Sequence, residues 1–214
     1  MINRIKRKIP NILSTNGHIW TSKLMSYVNS GVPIPEGIIK NYKHSQIKFE
    51  LNLETEEKCI YCETYITHQY PGDVEHIIPK SIYPRLTFTW NNLSFVCYKC
   101  NNNKRATLDK LCKLLNPYKD CIDDHLKAYG PIIFQINDSK RGEITLKEID
   151  LNRKELIERR VESLKNLQNL IDKYNRESVL GLKQILKNEI IEFSKSDKEF
   201  SMCNTQFLKE NGII

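Results

Sequence analysis

Cys59-Ile60-Tyr61-Cys62-Glu63, Gly72-Asp73-Val74-Glu75-His76-Ile77-Ile78-Pro79-Lys80-Ser81, Trp90-Asn91-Asn92-Leu93 and Cys97-Tyr98-Lys99-Cys100-Asn101-Asn102-Asn103-Lys104 follow one another in the first half of the chain. Two C-x-x-C pairs therefore bracket a polar segment of 34 residues. Each pair can present two thiolates from a tight turn, and four soft ligands make a closed tetrahedral zinc site, Cys59, Cys62, Cys97 and Cys100. With no open position, such a zinc is structural. A redox pair or unconnected core cysteines are the competing readings, and two pairs at metal spacing in a reducing compartment favour zinc.

From this centre the chain reads outward in both directions. Periodicity breaks up between Cys59 and about Leu115, as expected where ligands rather than a broad apolar face organise the backbone. Upstream, the basic stretch Arg4, Lys6, Arg7, Lys8 carries no acid and is expected to be a solvated arm, with an arm that lies on phosphates the alternative. A short helix is expected over 19–28, stopped by Ser30-Gly31, Pro33 and Pro35, and a second from about Pro35 to Glu57. Downstream, 132–136 and 143–149 alternate like strands around the polar turn 137–142, a β-hairpin. Two amphipathic stripes follow, Leu156 to Tyr174 and Val179 to Phe193, a helical hairpin. The division expected is a helical flank with its basic arm over 1–57, a core over 58–125, and the β-hairpin with C-terminal helices over 126–214.

The 214 residues carry 33 Lys and Arg against 26 Asp and Glu, a formal charge of +7 that favours a polyanionic partner without naming it. No apolar run is long enough for a membrane span and no secretory signal precedes the basic N-terminus, so a cytoplasmic protein without membrane contact is expected. A P-loop is absent, which leaves any nucleotide-dependent control to another polypeptide.

The ordered elements between the cysteine pairs resemble the HNH endonucleases, over about residues 59–105. The resemblance implies an α+β fold with a ββα-metal core. It also implies Glu75 and His76 at the end of the first strand, Asn92 in the loop, with Asn91 the alternative by one register, and Asn101 on the helix. His76 is then the general base, since a neutral imidazole is suited to taking a proton from water near pH 7. Glu75 and the Asn101 carbonyl are hard oxygen donors for a catalytic Mg²⁺ or Mn²⁺. Asn92 orients the loop, Asp73 supports the site, and Lys104, Lys80, Lys99 and Arg105 are candidate contacts to nucleic acid, with DNA the expected polymer. Family members more often carry Asp at the position of Glu75 and many carry His at that of Asn101, which leaves the catalytic ion open. His18, His44, His68 and His125 match nothing in the motif and are read as structural.

The strings Glu75-His76-Ile77-Ile78-Pro79-Lys80-Ser81, Tyr83-Pro84 and Trp90-Asn91-Asn92-Leu93 look like a bacterial branch that includes the HNH subunit of Septu-type anti-phage systems. That subunit works beside an ABC-like ATPase, which the resemblance implies as a partner. Stand-alone restriction-type HNH nucleases share the core. A noncatalytic zinc-dependent nucleic-acid module and a thiol redox protein are the readings from other classes.

Overall fold

Residues 1–66, 71–104 and 114–214 are described by the computed structural model, and their order explains itself from the zinc-knuckle segment outward. Strand β1 (Asp73–His76) pairs antiparallel with β2 (Leu93–Val96), placing Glu75 opposite Ser94 and His76 opposite Leu93. The Ile60 amide donates to the Phe95 carbonyl at 3.0 Å, which fastens the first cysteine turn to β2. Gly72 enters β1 at φ +69°, and a Cβ there would lie 2.2 Å from the Phe95 ring, so both the backbone and the packing require glycine. Helix α4 (Tyr98–Lys104) follows β2, and the three elements form the strand-strand-helix core.

The N-terminal flank differs from expectation in three ways. Helix α1 spans Asn11–Ser30, eight residues earlier at its start than the apolar pattern shows, because its first two turns are mostly polar and Gly17 packs close to the Phe88 carbonyl. The single helix expected to Glu57 is broken into α2 (Glu36–Ile39), a 3₁₀ turn over Lys40–Lys43, and α3 (Ser45–Glu54), whose first turn is capped by the His44 side chain accepting from the Gln46 amide. The basic N-terminus is not a solvated arm. Arg4 pairs with Glu56, Lys6 with Glu54 and Arg7 with Glu50, while Trp90 Nε1 donates to the Arg7 carbonyl at 2.8 Å. The acids that neutralise it sit some fifty residues away, Glu50 and Glu54 on α3 and Glu56 just after it, beyond the reach of local charge counting.

The expected β-hairpin is present with a different partner. Strand β3 (Leu126–Tyr129) pairs with β4 (Ile132–Gln135) across Gly130-Pro131, and residues 140–149 form helix α5 (Lys140–Ile149) instead of a strand. The polar run read as a turn is that helix's start: Ser139 Oγ accepts from the Gly142 amide at 3.0 Å. Its buried positions, Gly142, Thr145 and Ile149, recur at helical spacing.

The helical hairpin is present as α6 (Lys154–Arg176) and α7 (Leu180–Glu192), with α8 (Ser201–Glu210) packed on α6. One hydrophobic core joins the N-terminal flank, the strand-strand-helix unit and α5, and a second, smaller one is built from Leu167, Ile171, Ile190 and Leu208. The architecture is mixed α and β with helices dominant. No helix among the described residues is long and apolar enough to cross a membrane.

Candidate nuclease site and metal centre

Four sulfurs meet where the first cysteine turn faces the start of α4. Those of Cys59, Cys62, Cys97 and Cys100 all lie within 4.8 Å of one another, and Cys62 and Cys97 are 3.8 Å apart. A tetrahedron with Zn–S bonds of about 2.3 Å has edges of about 3.8 Å, so the donors fit a zinc ion in both chemistry and spacing. Their surroundings suit thiolates: the Thr64 hydroxyl lies 3.0 Å from Cys62 Sγ, the Cys100 amide donates to Cys97 Sγ at 3.4 Å, and Arg153 Nη1 donates to Cys100 Sγ at 3.6 Å. Arg153 immediately precedes α6, so this contact ties the C-terminal helices to the cysteine cluster.

On the other side of α4 a cleft of about 480 Å³ is lined by Glu75, His76, Lys80, Thr87, Asn101 and Lys104 among others. His76 is buried, its Nε2 3.0 Å from the Thr87 carbonyl. A carbonyl can only accept, so the neutral imidazole carries its proton on Nε2 and Nδ1 holds the lone pair. Burial, and then the positive charge of Lys80, push the imidazole pKa down to about 3, so the ring is neutral at physiological pH. The Tyr42 ring stands edge-on to it at 4.5 Å. Tyr42 had no signal in the sequence, where an aromatic in an apolar run reads as core. Only the break at the Lys40–Lys43 turn brings it here.

Asn92 is buried and Asn91 exposed. The Asn92 side chain accepts from the Ile78 amide at 2.8 Å and donates to the carbonyls of Ile78 at 2.9 Å and Leu86 at 3.2 Å, bracing both sides of the loop that follows β1. Asn101 Nδ2 donates to Asp73 Oδ2 at 3.1 Å. Glu75 is buried, and burial raises its carboxyl pKa against the opposing pull of Lys104.

The predicted phosphate contacts divide. Lys104 is not on the surface: its ammonium pairs with Glu75 and donates to the His76 carbonyl at 2.5 Å, in a buried position one helical turn beyond Asn101. Lys80 is half-buried at the cleft, and Lys99 is exposed on α4. Arg105 lies outside the described residues, as does His68. His44 caps α3 and His125 Nδ1 lies 2.6 Å from Ser139 Oγ, while His18 lines a separate groove along α1.

Residues 59–107 match the family model described as HNH endonuclease. The match covers the two cysteine turns, β1, β2 and α4, the segment whose geometry is set out above. The chain is also similar to Septu protein PtuB of Bacillus thuringiensis, 34% identical over 85 residues that make up 39% of this chain and 33% of that protein. A second relative, Septu protein PtuB of Bacillus mycoides (strain KBAB4), is 28% identical over 158 residues, 59% of this chain and 54% of that protein. The chain thus spans about a third to a half of the length of these curated relatives. An HNH nuclease domain with likeness to a Septu defence protein is what the sequence resemblance anticipated.

Proposed function

We propose that the chain is a metal-dependent HNH endonuclease that hydrolyses phosphodiester bonds, DNA in the first instance, as the effector of a bacterial anti-phage system. The observation that carries this reading is the convergence of Glu75, His76 and Asn101 on one cleft, with Asn92 bracing the loop beneath it. His76 Nδ1 takes the proton of the attacking water, Nε2 is held by Thr87, and Tyr42 limits rotation of the ring. Glu75 and the Asn101 carbonyl would hold a Mg²⁺ or Mn²⁺, which would supply charge stabilisation at the phosphate and the leaving oxygen. For Glu75 to do so, the Lys104 ammonium must shift from its carboxylate. The cysteine tetrad would hold one structural zinc.

Segments 1–57 and 126–214 serve in this reading as flanks to a core over 58–125, and the protein acts in the cytoplasm. The partner is an ABC-like ATPase, docked on the end of the α6–α7 hairpin, where Val179, Leu180, Leu182 and Ile185 are exposed. A noncatalytic nucleic-acid module is the second reading, favoured by the one observation that Lys104 sits on Glu75. Incubating the purified protein with plasmid and single-stranded DNA, with and without Mn²⁺ or Mg²⁺, tests the proposal. Cleavage that requires the ion and is lost in His76→Ala supports the nuclease. Binding without cleavage under every condition supports the module.

A further inference from the structure

Four cations of the N-terminal flank have a carboxylate to answer them, Arg4 with Glu56, Lys6 with Glu54, Arg7 with Glu50 and Lys40 with Glu36. Around the cleft this pattern fails. Lys43 ends the 3₁₀ turn, Lys48 lies on α3 and Lys80 follows β1, and among the described residues none of the three forms an ion pair. Two of them converge on one ring: Lys80 Nζ lies 5.0 Å and Lys43 Nζ 5.9 Å from the Tyr42 centroid, and that same ring stands against His76. Lys48 and Lys80 are half-buried, and each has its ammonium pKa pushed down by burial first, against the opposing pull of Asp73 on Lys48 and of Glu75 on Lys80, with Lys43 adding to the downward push on both. Among the described residues, Lys80 and Lys104 face Glu75, which Lys104 already engages, while Lys43 shares the Tyr42 ring with Lys80 and Lys48 lies on α3 toward Asp73. A solvated lysine face would spread its charges outward or match them at i,i+4, as Lys147 does with Glu143. Here Lys80 and Lys104 bear on the imidazole and Lys43 stands across the Tyr42 ring from Lys80, an arrangement that an anion relieves.

We infer that Lys43 and Lys48 of the N-terminal flank form, with Lys80, a phosphate-binding wall that grips the nucleic-acid backbone next to the phosphate addressed by His76. The inference rests on the nuclease reading for its ligand and adds residues outside the family-matched segment. Lysine contacts to phosphate position the strand without reading bases, so binding through this wall is insensitive to sequence and steeply dependent on salt.

The test uses the full chain in a His76→Ala background, so that the probe survives, and measures the anisotropy of fluorescein-labelled single-stranded and duplex DNA between about 50 and 200 mM salt. Lys43→Gln and Lys48→Gln each weaken binding and lower the slope of log K against log salt by about 0.7 for single strands and about 0.9 for duplex. Zinc content and thermal midpoint stay unchanged, and Lys165→Gln on the exposed face of α6 leaves the slope alone. An unchanged slope in the Lys43→Gln, Lys48→Gln double variant overturns the wall. If the wild-type chain cuts DNA while that slope is unchanged, only this inference falls. If the lysines govern binding but the wild type never cuts, the wall stands and the nuclease reading falls.

Discussion

His76 carries two measurable consequences in one side chain. If His76 is the base proposed above, its replacement by Ala is expected to abolish cleavage while DNA binding is retained, since the proposed wall lysines do not depend on the imidazole. Its titration also links folding to pH. The unfolded ring protonates near 6.5 and the folded ring near 3, so above pH 6.5 it contributes nothing, and as pH falls below 6.5 the unfolded state alone gains a proton. Between pH 6.5 and 5 the loss is about 2 kcal/mol, and it levels off only below the folded pKa. Urea midpoints at the two pH values should therefore drop further for the wild type than for His76→Gln. An equal drop in both would show that the ring is not held neutral. Glu75, His76 and Asn92 are candidates in the sequence through their place in the HNH-like motif, and the fold sets Glu75 and His76 in one cleft with Asn92 bracing the loop. Tyr42 and the buried orientation of Lys104 could not be read there, since both depend on which segments meet in space.

Among elements, the two cysteine turns with α4 were the most legible, because C-x-x-C at this spacing has little other use in a reducing setting. Cys59→Ser or Cys97→Ser should lower zinc below about one per chain and reduce the thermal midpoint before chemistry is in question, measurable by metal analysis beside a melting curve. Arg153 adds a finer test. A zinc held by four thiolates bears two negative charges, and the guanidinium on Cys100 offsets part of that. Arg153→Gln should hasten zinc release to a chelator by about tenfold, with Arg153→Lys falling between the two. Helix α5 was the least legible element. Glu143-Ile144-Thr145-Leu146-Lys147 alternates as a strand does, but Ser139 caps it and Glu143 pairs with Lys147 one turn on, and these local helical interactions outweigh the β-branched residues.

At the scale of the whole molecule the sequence conveyed the mixture of helices around a small metal-stapled sheet, but not the wrapping of the ends about the centre. Burial of an N-terminal stretch against acids fifty residues away is a tertiary fact with no local trace. The hairpin tip has an expected outcome too: if the proposed ATPase partner docks there, Leu182→Glu with Ile185→Glu should prevent its co-purification, leaving zinc content and melting unchanged because both positions are exposed. Recovery of the intact complex from the variant would remove the tip from the interface.

The back of the first cysteine turn is finished by residues that come very late in the chain. Lys58 gives its ammonium to the carbonyls of Ser196 and Lys198, Tyr65 donates its hydroxyl to the Asp197 carbonyl, and the buried Glu63 accepts from the Ser201 hydroxyl and the Met202 amide. During synthesis from the N-terminus, the ribosome has already released the cysteine turns and the cleft while these closing partners are still untranslated. Until residue 202 emerges, the buried Lys58 and Glu63 lack them, and loop closure over some 140 residues delays the final packing. A nascent chain arrested after Glu192 should accordingly be cut by protease within the cysteine-turn segment, whereas the released protein resists. The order of translation thus leaves the back of the first cysteine turn unfinished until residues 196–202 have been made.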